Sequence, residues 1–496
     1  MAIGEIDDHA SVHLLETVSQ SVNLGKDTFT TGSIRKSTIE ECVHALRSCR
    51  RLLEEYGISQ PEQMRVVATS AVREAANRLA FLDRIYIATG LQVEPIEEAE
   101  VNRMTFLGIQ PHLNSEPGLA DARTIVTEVG GGSTDLLFLQ SGQVAYSHTY
   151  RLGSVRLRET LRSYRAPVAD HRSIMKSQIR RTLEQAGQHV PRDGSTEMIA
   201  LGGDIRFAAS QLLPNWNGDV LARISLPELE QFTNEVLARS EDELVRTHHI
   251  TFPDAETLGP ALLVYLELAR IFQLKDLRVT SLNLRDSLLH DMASRDRWSD
   301  EYRNQIIRSA LDLGAKFRFD RAHAKHVANL SAILFRSLQS EHQLDSRCQF
   351  ILHVAALLHE IGLFISSRSH HKHSMYLILN SELFGLTQHD VLLVALVARY
   401  HRRASPKPTH QGYSTLDRDD RIVVAKLAAI LRIAEALDDS RSQRIHEIEC
   451  ELKNDKLVIA IPHVEDLSLE QLAIKQNCSL FEEIFGQHVL LRKLRS

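Results

Sequence analysis

The residues best suited to chemistry in this sequence are small residues that follow two apolar segments. They are Gly131, Gly132 and Ser133 after TIVTEV (124–129), and Gly202 and Gly203 after MIAL (198–201). Because glycine has no Cβ, the backbone there can turn tightly and direct several N–H groups at one anion. Each segment therefore predicts a strand that leads into a phosphate-binding turn, although paired glycines also occur in ordinary tight turns.

A second group of chemically capable side chains lies later in the chain, where histidine is concentrated. Eleven of the 24 histidines fall between His323 and His410. The basic residues in this region include Lys372, Arg402, Arg403 and Lys407. Because the net charge of the chain is −6, a polyanionic substrate would need a local basic surface, and this group is a candidate path for a phosphate chain. A solvated loop face is the alternative interpretation.

Alternating strand and helix patterns must position the glycines. The predicted strands are 10–20, 65–70, 91–96, 124–129, 135–139, 198–204 and 277–283. Helices are predicted from Ser37 to Tyr56, where Ser37 and Thr38 begin a doubled capping box, and from Val72 to Thr89. Ser141 and Gly142 predict a hairpin turn. This order favours an open α/β sheet.

The pattern becomes helical from about residue 300. Strand character returns in IHEIECEL (445–452) and KLVIAIP (456–462). A chain of 496 residues exceeds what one hydrophobic core usually supports, so several domains are expected.

Composition favours a cytoplasmic protein that contacts neither membrane nor nucleic acid. No run of eighteen apolar residues is present, and the amino-terminal segment MAIGEIDDHAS has no secretory pattern. The five cysteines are scattered without C-x-x-C spacing, which is typical of a reducing compartment and argues against a zinc ribbon.

Several ordered segments resemble the exopolyphosphatase / guanosine pentaphosphate phosphohydrolase (Ppx/GppA) family. The glycine segment EVGGGSTD (128–135) is similar to the family's D-x-G-G-G-S-T-E loop. The other similar segments are VVATSAVREAANR (66–78), IEEAEVNRMTFLGI (96–109), RLGSVRL (151–157), IALGGDIR (199–206) and LNLRDSLL (282–289). The resemblance spans essentially the whole chain and implies an α/β fold of the actin/hexokinase-like ATPase type with two lobes.

The resemblance also implies roles for particular residues. Glu100 falls where the family places its general base, which would deprotonate the attacking water. Arg73 matches a phosphate-binding arginine, and Glu128 stands at a position near Mg²⁺. Glu100 also belongs to an acidic run with Glu94, Glu97 and Glu98, so a solvated helix start is its alternative role.

The chain departs from the family pattern at its start and at two acidic positions. The family opens with a D-x-G-S-N-S phosphate loop, which has no counterpart in the opening MAIGEI. Aspartate is replaced by Glu128, and the usual E-E-A reads Glu100-Val101-Asn102. Because positioning supplies most catalysis in phosphoryl transfer, loss of one phosphate loop would weaken activity. Two explanations of the missing loop are open. The start of the sequence is truncated, or the protein is a regulator with weakened catalytic activity.

The later half resembles the HD-type helical domain of longer family members. That resemblance implies metal ligands at His323, His359, Glu360 and Asp438, with Glu435 as an alternative to Asp438. Imidazole and carboxylate suit Fe, Mn, Mg or Zn. The His-Asp pair of such domains reads His359-Glu360 here, and a buried structural histidine is the alternative role for His359.

The sequence therefore predicts Mg²⁺-dependent removal of terminal phosphate from inorganic polyphosphate, with guanosine pentaphosphate as the alternative substrate. A polyphosphate- or nucleotide-binding regulator and a phosphohydrolase that uses the histidine cluster are further alternatives. We expect a homodimer. The predicted domains are two α/β lobes (1–120 and 121–297), an all-α HD-like domain (298–440) and a small α/β tail (441–496).

Overall fold

The computed structural model of the chain divides into two units, Met1–Trp298 and Ser299–Ser496, here called the sheet unit and the helical unit. The structure describes residues 1–7, 11–120, 122–163, 167, 170–184, 186, 190, 196–294, 300–381, 383–402, 404–453, 455–464 and 466–493. One of the predicted site residues, Arg403, lies outside the described residues.

A six-stranded mixed sheet forms the centre of the sheet unit. Its strands, in spatial order, are β7 (Gln143–Tyr150), β6 (Thr134–Gln140), β5 (Arg123–Val129), β8 (Thr196–Leu201), β10 (Asp276–Val279) and β9 (Ala222–Ser225). Strands β5, β8 and β10 run parallel, with Glu128 opposite Leu201. Because parallel neighbours end at the same edge, both glycine turns lie at the carboxyl edge of the sheet, where α/β sheets generally bind ligands.

Two smaller sheets and a series of helices complete the sheet unit. The sheets pair β1 (Ala2–Ile6) with β2 (Val12–Thr17), and β3 (Val66–Ala68) with β4 (Val93–Pro95). The helices are α1 (Leu24–Thr31), α2 (Lys36–Glu55), α3 (Ser70–Arg73), α4 (Arg78–Thr89), α5 (Glu98–Ser115), α6 (Pro117–Ala120), α7 (Ser154–Ser163), α8 (His171–Leu183), α9 (Gly203–Leu212), α10 (Leu226–Ala238), α11 (Glu241–His248), α12 (Phe252–Ile271) and α13 (Leu284–Ser294). The buried helix α12 shares a core with β5, β6 and β8.

Most of the helical unit consists of packed helices. They are α14 (Asp300–Lys316), α15 (Arg321–Ser337), α16 (Gln339–His342), α17 (Ser346–Leu358), α18 (His370–Leu379), α19 (Gln388–Arg399), α20 (Arg418–Ala436), α21 (Ser468–Asn477) and α22 (Ser479–Phe485). A three-stranded sheet, β11 (Glu449–Lys453), β12 (Lys456–Ile461) and β13 (His488–Lys493), lies near the end of the chain.

One segment of the helical unit, Ser346–Phe364, is long and apolar enough to cross a membrane by length and composition alone. It includes α17, and 61% of its apolar window is buried inside the protein. Helix α17 packs against α15 and α19 within the helical unit.

The strand predictions are confirmed, but the predicted helix from Val72 to Thr89 is wrong because it is broken into α3 and α4. Asn77 lies at the break, where its side chain accepts from the amide of Ile34 at 2.9 Å and donates to the carbonyl of Ile34 at 2.8 Å. The capping prediction also differs, since α2 begins after Arg35 without a side-chain cap. Tertiary hydrogen bonds therefore overrode the local helical pattern.

Candidate active site

The first glycine turn, residues 130–133, has its carbonyl groups occupied and the amides of residues 131–133 open, whereas the amide of Gly130 donates to the carbonyl of Ser133 at 2.9 Å. The amide of Ser154 donates to Gly130 at 2.9 Å, and Arg156 donates to Gly131 from its amide at 3.1 Å and to Gly132 from Nε at 2.8 Å. Among the described residues, no acceptor is bound by the amides of Gly131, Gly132 or Ser133. The start of α7 therefore holds the turn from one side and leaves these N–H groups available to an anion.

Close packing requires glycine in this turn. A Cβ on Gly132 would collide with the Phe29 ring and the Ser70 hydroxyl, and a Cβ on Gly153 would collide with the backbone of Gly131. The Arg156 guanidinium stacks over Phe29 at 4.3 Å and pairs with both oxygens of Glu74. The turn is thus held by residues from α1 and α3, early in the sheet unit's sequence, and by the start of α7, in the middle of that sequence.

The second glycine turn lies at the start of α9. Gly202 has φ of +123°, and a Cβ there would lie 2.7 Å from the Tyr265 hydroxyl, so both backbone conformation and space require glycine. That hydroxyl accepts from the amide of Val129 at 2.9 Å and donates to the carbonyl of Leu201. Tyr265 is fully buried on α12 and joins the two strand ends that lead into the glycine turns.

Three carboxyl groups lie beside these turns, and the pKa of each is raised. Burial raises the pKa of Asp135 and of Asp204 to about 7, although Thr149 donates to Asp135 at 2.5 Å and Thr257 donates to Asp204 at 3.2 Å. Burial also raises the pKa of Glu128. Clustered acidic groups that resist ionisation are typical of sites that bind a cation.

Helix α5 carries acidic residues on two different faces. Glu98 is exposed and pairs with Arg73 at 3.2 Å, and both act electrostatically on Asp135. Asn102, one turn later on the same face, donates to Thr149 at 3.4 Å. This face of α5 is therefore directed at the carboxyl groups beside the first glycine turn.

Glu100, the predicted general base, lies on the other face of α5. Its carboxylate is buried and accepts from Arg103 at 2.7 and 2.9 Å and from Arg65 at 3.3 Å. Asp291 completes this network by pairing with both arginines at 2.8 Å. The Arg73 guanidinium, predicted to bind phosphate, donates to the carbonyl of Ile96 at 2.7 Å.

Several residues of this region were missed by the sequence analysis. They are Glu98, Asp135, Asp204, Arg206 and Tyr265. In the sequence, Glu98 is only one member of an acidic run. Asp135 and Asp204 lie within segments that resemble the family, at positions to which the resemblance gives no role. Tyr265 carries no local signal, because its hydroxyl meets the glycine turns only after α12 has packed on the sheet.

In the helical unit the structure brings three of the four predicted metal ligands together. Ligand atoms of His323, His359 and Glu360 lie within 4.8 Å of one another. Asp438 does not join them directly, since its Oδ2 is bound 2.8 Å from Nδ1 of His323. Two histidines not predicted as ligands, His370 and His401, are buried alongside and 3.1 Å apart at their Nε2 atoms.

Glycine also sets the packing beside this cluster. A Cβ on Gly362 would collide with the carbonyl oxygen of His370 and the amide of Ser374. The Ser374 hydroxyl donates to the carbonyl of His359 at 2.7 Å and accepts from the amide of Gly362 at 3.0 Å. Helix α18 therefore packs directly against the turn that follows Glu360.

The predicted basic surface is partly assembled. Lys372, Arg402 and Lys407 are exposed. Burial lowers the pKa of His371 to about 4, and Arg402 and Lys372 contribute to the shift. Burial also lowers the pKa of His410, with contributions from Lys407 and Lys372. These three cations therefore share one neighbourhood of the helical unit.

Comparison with known proteins gives a consistent family match. Residues 2–296 match the Ppx/GppA phosphatase family, and residues 307–479 match Ppx/GppA phosphatase domain III. A guanosine-5'-triphosphate,3'-diphosphate pyrophosphatase of Photobacterium profundum is 22% identical over 403 residues, which is 81% of this chain and 78% of that protein.

Two solved structures share the mixed α/β fold. An exopolyphosphatase from Cytophaga hutchinsonii ATCC 33406 aligns with a TM-score of 0.52 at 20% identity, over 59% of this chain and 94% of that chain. An exopolyphosphatase-like protein aligns with a TM-score of 0.52 at 21% identity over the same shares.

Proposed function

This chain belongs to the Ppx/GppA phosphatase family, and from that premise we propose that it removes terminal phosphate from inorganic polyphosphate at the glycine turns of the sheet unit. The observation that carries the proposal is the turn 130–133, in which residues of α7 bind the carbonyls of Gly130, Gly131 and Gly132 and the amides of residues 131–133 are open. We also propose the finer fold assignments, namely a two-lobed actin-like sheet unit and an HD-like domain within the helical unit.

Phosphate binding is the first step that the geometry supports. The amides of Gly131, Gly132 and Ser133 would donate to oxygens of the terminal phosphoryl group. The start of α9 at Gly202 and Gly203 adds further N–H groups and the positive end of a ten-residue helix. Because Tyr265 fixes both strand ends, these donors are in place before the substrate arrives.

The carboxyl groups beside the turns fit Mg²⁺. Glu128, Asp135 and Asp204 supply oxygen donors only, which is the ligand type that Mg²⁺ prefers. A bound Mg²⁺ would neutralise phosphate charge and so allow carboxylates and phosphate to share one site. Arg206, which acts electrostatically on both Glu128 and Asp204, would balance part of the remaining negative charge.

Two carboxylates of α5 compete for the role of general base. The family motif assigns Glu100, whereas the contacts favour Glu98. Glu98 is exposed beside Arg73 and faces Asp135, so a water molecule can reach it. Glu100 is buried, and its two oxygens accept hydrogen bonds from Arg103 and Arg65, which restricts the access of a water molecule to this carboxylate. We therefore propose Glu98 as the base, with Glu100 stabilising the fold of the sheet unit.

Guanosine pentaphosphate is the second candidate substrate, because a relative acts on guanosine-5'-triphosphate,3'-diphosphate. The exposed cations Lys372, Arg402 and Lys407 favour a long polyanion instead. A nucleotide would gain from a base-stacking site, whereas a phosphate chain gains from a basic surface alone. Release of phosphate from each substrate at equal concentration separates the two.

The deciding experiment compares two glycine variants for phosphate release and polyphosphate binding. Gly203→Ala meets only Arg206 at 3.9 Å, so the fold tolerates the methyl group, which stands where phosphate would approach. Gly118→Ala is the control, since its Cβ meets nothing within 4 Å. We expect Gly203→Ala to raise KM about tenfold or more, the control to match the parent, and EDTA to stop release.

Other outcomes would contradict the proposal. Tight polyphosphate binding without phosphate release, with Mg²⁺ present, would support the regulator alternative. Equal activity in both glycine variants would remove the second glycine turn, at Gly202 and Gly203, from the chemistry.

A further inference from the structure

The carboxyl group of Asp135 has one oxygen bound within the sheet unit and the other left free. Asp135 on β6 lies directly opposite Glu128 of β5 and Thr149 of β7, so the three side chains share one face of the sheet. The Thr149 hydroxyl donates to Oδ1 of Asp135 at 2.5 Å. Among the described residues, no donor reaches Oδ2 of Asp135. The carboxyl group is therefore held through one oxygen and can offer the other to a cation.

Helix α5, which packs on β6, adds a second hydrogen bond to this row of side chains. Asn102 of α5 is only 4% exposed, and its Nδ2 lies 3.4 Å from Oγ1 of Thr149. Because the single proton of the Thr149 hydroxyl goes to Asp135, the hydroxyl can only accept from Asn102. The direction of the hydrogen bonds is therefore fixed, from Asn102 to Thr149 and from Thr149 to Asp135.

The other end of the Asn102 amide is unpaired. Since Nδ2 is directed at Thr149, Oδ1 points away from it, and this oxygen is buried without a hydrogen-bond donor among the described residues. A buried acceptor that lacks a donor lowers the stability of a fold. The amide of Asn102 therefore contributes through its donor end, to the carboxyl groups beside the first glycine turn, and not through the packing of α5.

We propose that Asn102 and Thr149 are positioning residues that hold Asp135 in the orientation in which it binds Mg²⁺. This role rests on the Mg²⁺ site of the proposed function. Glu128 lies directly opposite Asp135, and two carboxylates in such a pair repel each other, so Asp135 would turn away from Glu128 unless it is held. Without the Asn102 donor, the Thr149 hydroxyl can rotate away from Asp135, and the carboxyl group loses its fixed orientation.

Mg²⁺ affinity of the metal-free, full-length protein tests this role by isothermal titration calorimetry. The heat that disappears in Asp135→Asn identifies binding at this site. Asn102→Leu keeps the approximate size of the side chain but removes the amide, and Thr149→Val removes the hydroxyl. Each should weaken Mg²⁺ binding at this site by about 10–100-fold, as loss of an outer hydrogen bond to a metal ligand usually does. Thr149→Ser keeps the hydroxyl and should retain the parent affinity.

The double variant Asn102→Leu/Thr149→Val distinguishes one chain of hydrogen bonds from two separate effects. Because Asn102 acts through Thr149, the double variant should bind Mg²⁺ as weakly as Thr149→Val alone. If the two losses multiply instead, Asn102 acts independently of Thr149, and the proposed chain of hydrogen bonds is overturned.

Urea unfolding in EDTA separates positioning from folding. Asn102→Leu removes the unpaired buried Oδ1, so its unfolding midpoint should equal or exceed that of the parent. Thr127→Val is the matched control on β5. Thr127 is fully buried and donates to the backbone carbonyl of Asp135 at 2.9 Å, not to its carboxyl group. This control should unfold at a lower urea concentration than the parent but keep the parent Mg²⁺ affinity.

Two outcomes separate the positioning role from the Mg²⁺ site itself. If Asp135→Asn binds Mg²⁺ as the parent does, the Mg²⁺ site of the proposed function is wrong, and the role of Asn102 and Thr149 fails with it. If Asp135→Asn loses binding but Asn102→Leu keeps the parent affinity, only the positioning role is overturned.

The control decides the remaining case. Equal loss of Mg²⁺ affinity in Asn102→Leu and Thr127→Val would overturn the positioning role, because the effect would then come from the fold. If Asn102→Leu does not fold, Asn102→Ala takes its place in each comparison, and the contrast between Thr149→Val and Thr149→Ser decides the part of the hydroxyl.

Discussion

The sheet unit and the helical unit both gather groups suited to a ligand, but they take them from different parts of the chain. In the sheet unit the donors are backbone amides of consecutive residues, Gly131 to Ser133. In the helical unit the candidate ligand atoms belong to side chains that are distant in sequence, from His323 to Glu360. A backbone site depends on chain conformation, whereas a side-chain site depends on residue identity at each position.

The two units also bury titratable groups of opposite kinds. Burial raises the pKa of Asp135 and Asp204 to about 7 and lowers the pKa of His359 to about 4. Both shifts favour the neutral form. The carboxyl cluster becomes electrostatically unfavourable when it ionises and then gains from a cation, whereas the neutral imidazoles already offer lone pairs.

The largest expected effect tests which face of α5 does the chemistry. Glu98→Gln should lower kcat at least about a hundredfold, because it keeps the shape but removes the base. Glu100→Gln should leave kcat within about threefold but destabilise the sheet unit by about 3 kcal/mol, because Arg65 and Arg103 lose a buried partner. Steady-state phosphate release and urea unfolding of both variants provide the measurements. Lost activity with native stability in Glu100→Gln would return the base to that residue.

The next effect tests whether the hydrogen bonds of Tyr265 contribute both to the stability of the sheet unit and to phosphate binding at the glycine turns. Tyr265→Phe leaves the amide of Val129 and the carbonyl of Leu201 without their partner, which costs about 1–3 kcal/mol. The phosphate turns lose their fixed spacing, so KM should rise about tenfold. Tyr302→Phe is the matched variant in the helical unit, since its buried hydroxyl donates to the carbonyl of Gly385 at 2.5 Å. Tyr302→Phe should lose a similar free energy of unfolding but keep the parent KM for triphosphate. If KM rises in both Tyr265→Phe and Tyr302→Phe, the effect is not specific to Tyr265 and the proposed link between its hydroxyl and phosphate binding is wrong.

A smaller effect concerns the basic surface of the helical unit. Replacing Lys372, Arg402 and Lys407 together by Ala should weaken long polyphosphate severalfold at low salt and leave triphosphate unchanged. The loss should shrink as salt rises, because exposed charges are screened. Titrations of both chain lengths across a salt series measure this. Equal loss for both lengths would indicate that the cations support the fold instead.

The smallest effect concerns how the free energy of unfolding depends on pH when EDTA keeps metal ions away from the protein. The folded pKa of Asp135 is raised, so between about pH 4 and 7 the folded state holds a proton that the unfolded state releases. Stability therefore falls as pH rises through this window, by about 1–2 kcal/mol from pH 5.5 to 7 for this group. Asp135→Asn should flatten that slope in calorimetric unfolding, and an unchanged slope would contradict the shift.

Histidine burial in the helical unit predicts the opposite slope. The folded pKa of His342 is lowered by burial, so below about pH 6.5 the unfolded state takes up the proton first. Stability of the parent should fall as pH drops below that value, and His342→Gln should reduce the slope. An identical acid response in parent and variant would remove the contrast between the units.

Local patterns predicted most of the strands, the hairpin at Ser141-Gly142 and the first glycine turn, because these features depend on residues close in sequence, whereas β1, β9 and β13 were not predicted. The first glycine turn can be recognised in the sequence because its glycine is obligatory. Only glycine fits at position 132, beside Phe29 and Ser70. The break between α3 and α4 was not predicted, because it depends on hydrogen bonds from Asn77 to the distant Ile34. Local signals do not contain such partners.

The same limit applies to the candidate sites. An acidic run does not show which face of α5 meets Asp135, so Glu98 and Glu100 were indistinguishable by composition. His370 carries no local signal of its own, since its proximity to His401 depends on how α18 and α19 pack. The assignments of Arg73, Gly131 and Ser133 to phosphate binding stay predictions.

Gly362 offers no ligand atom, yet its packing against α18 makes it a determinant of the histidine cluster. Any larger residue there would push His370 and Ser374 away from His359. In a saturation library selected for a folded helical unit, position 362 should tolerate substitution as poorly as a fully buried core position, because a Cβ there meets backbone atoms of α18. Tolerance to mutation at this position would then report how closely the backbone of α18 approaches the turn after Glu360.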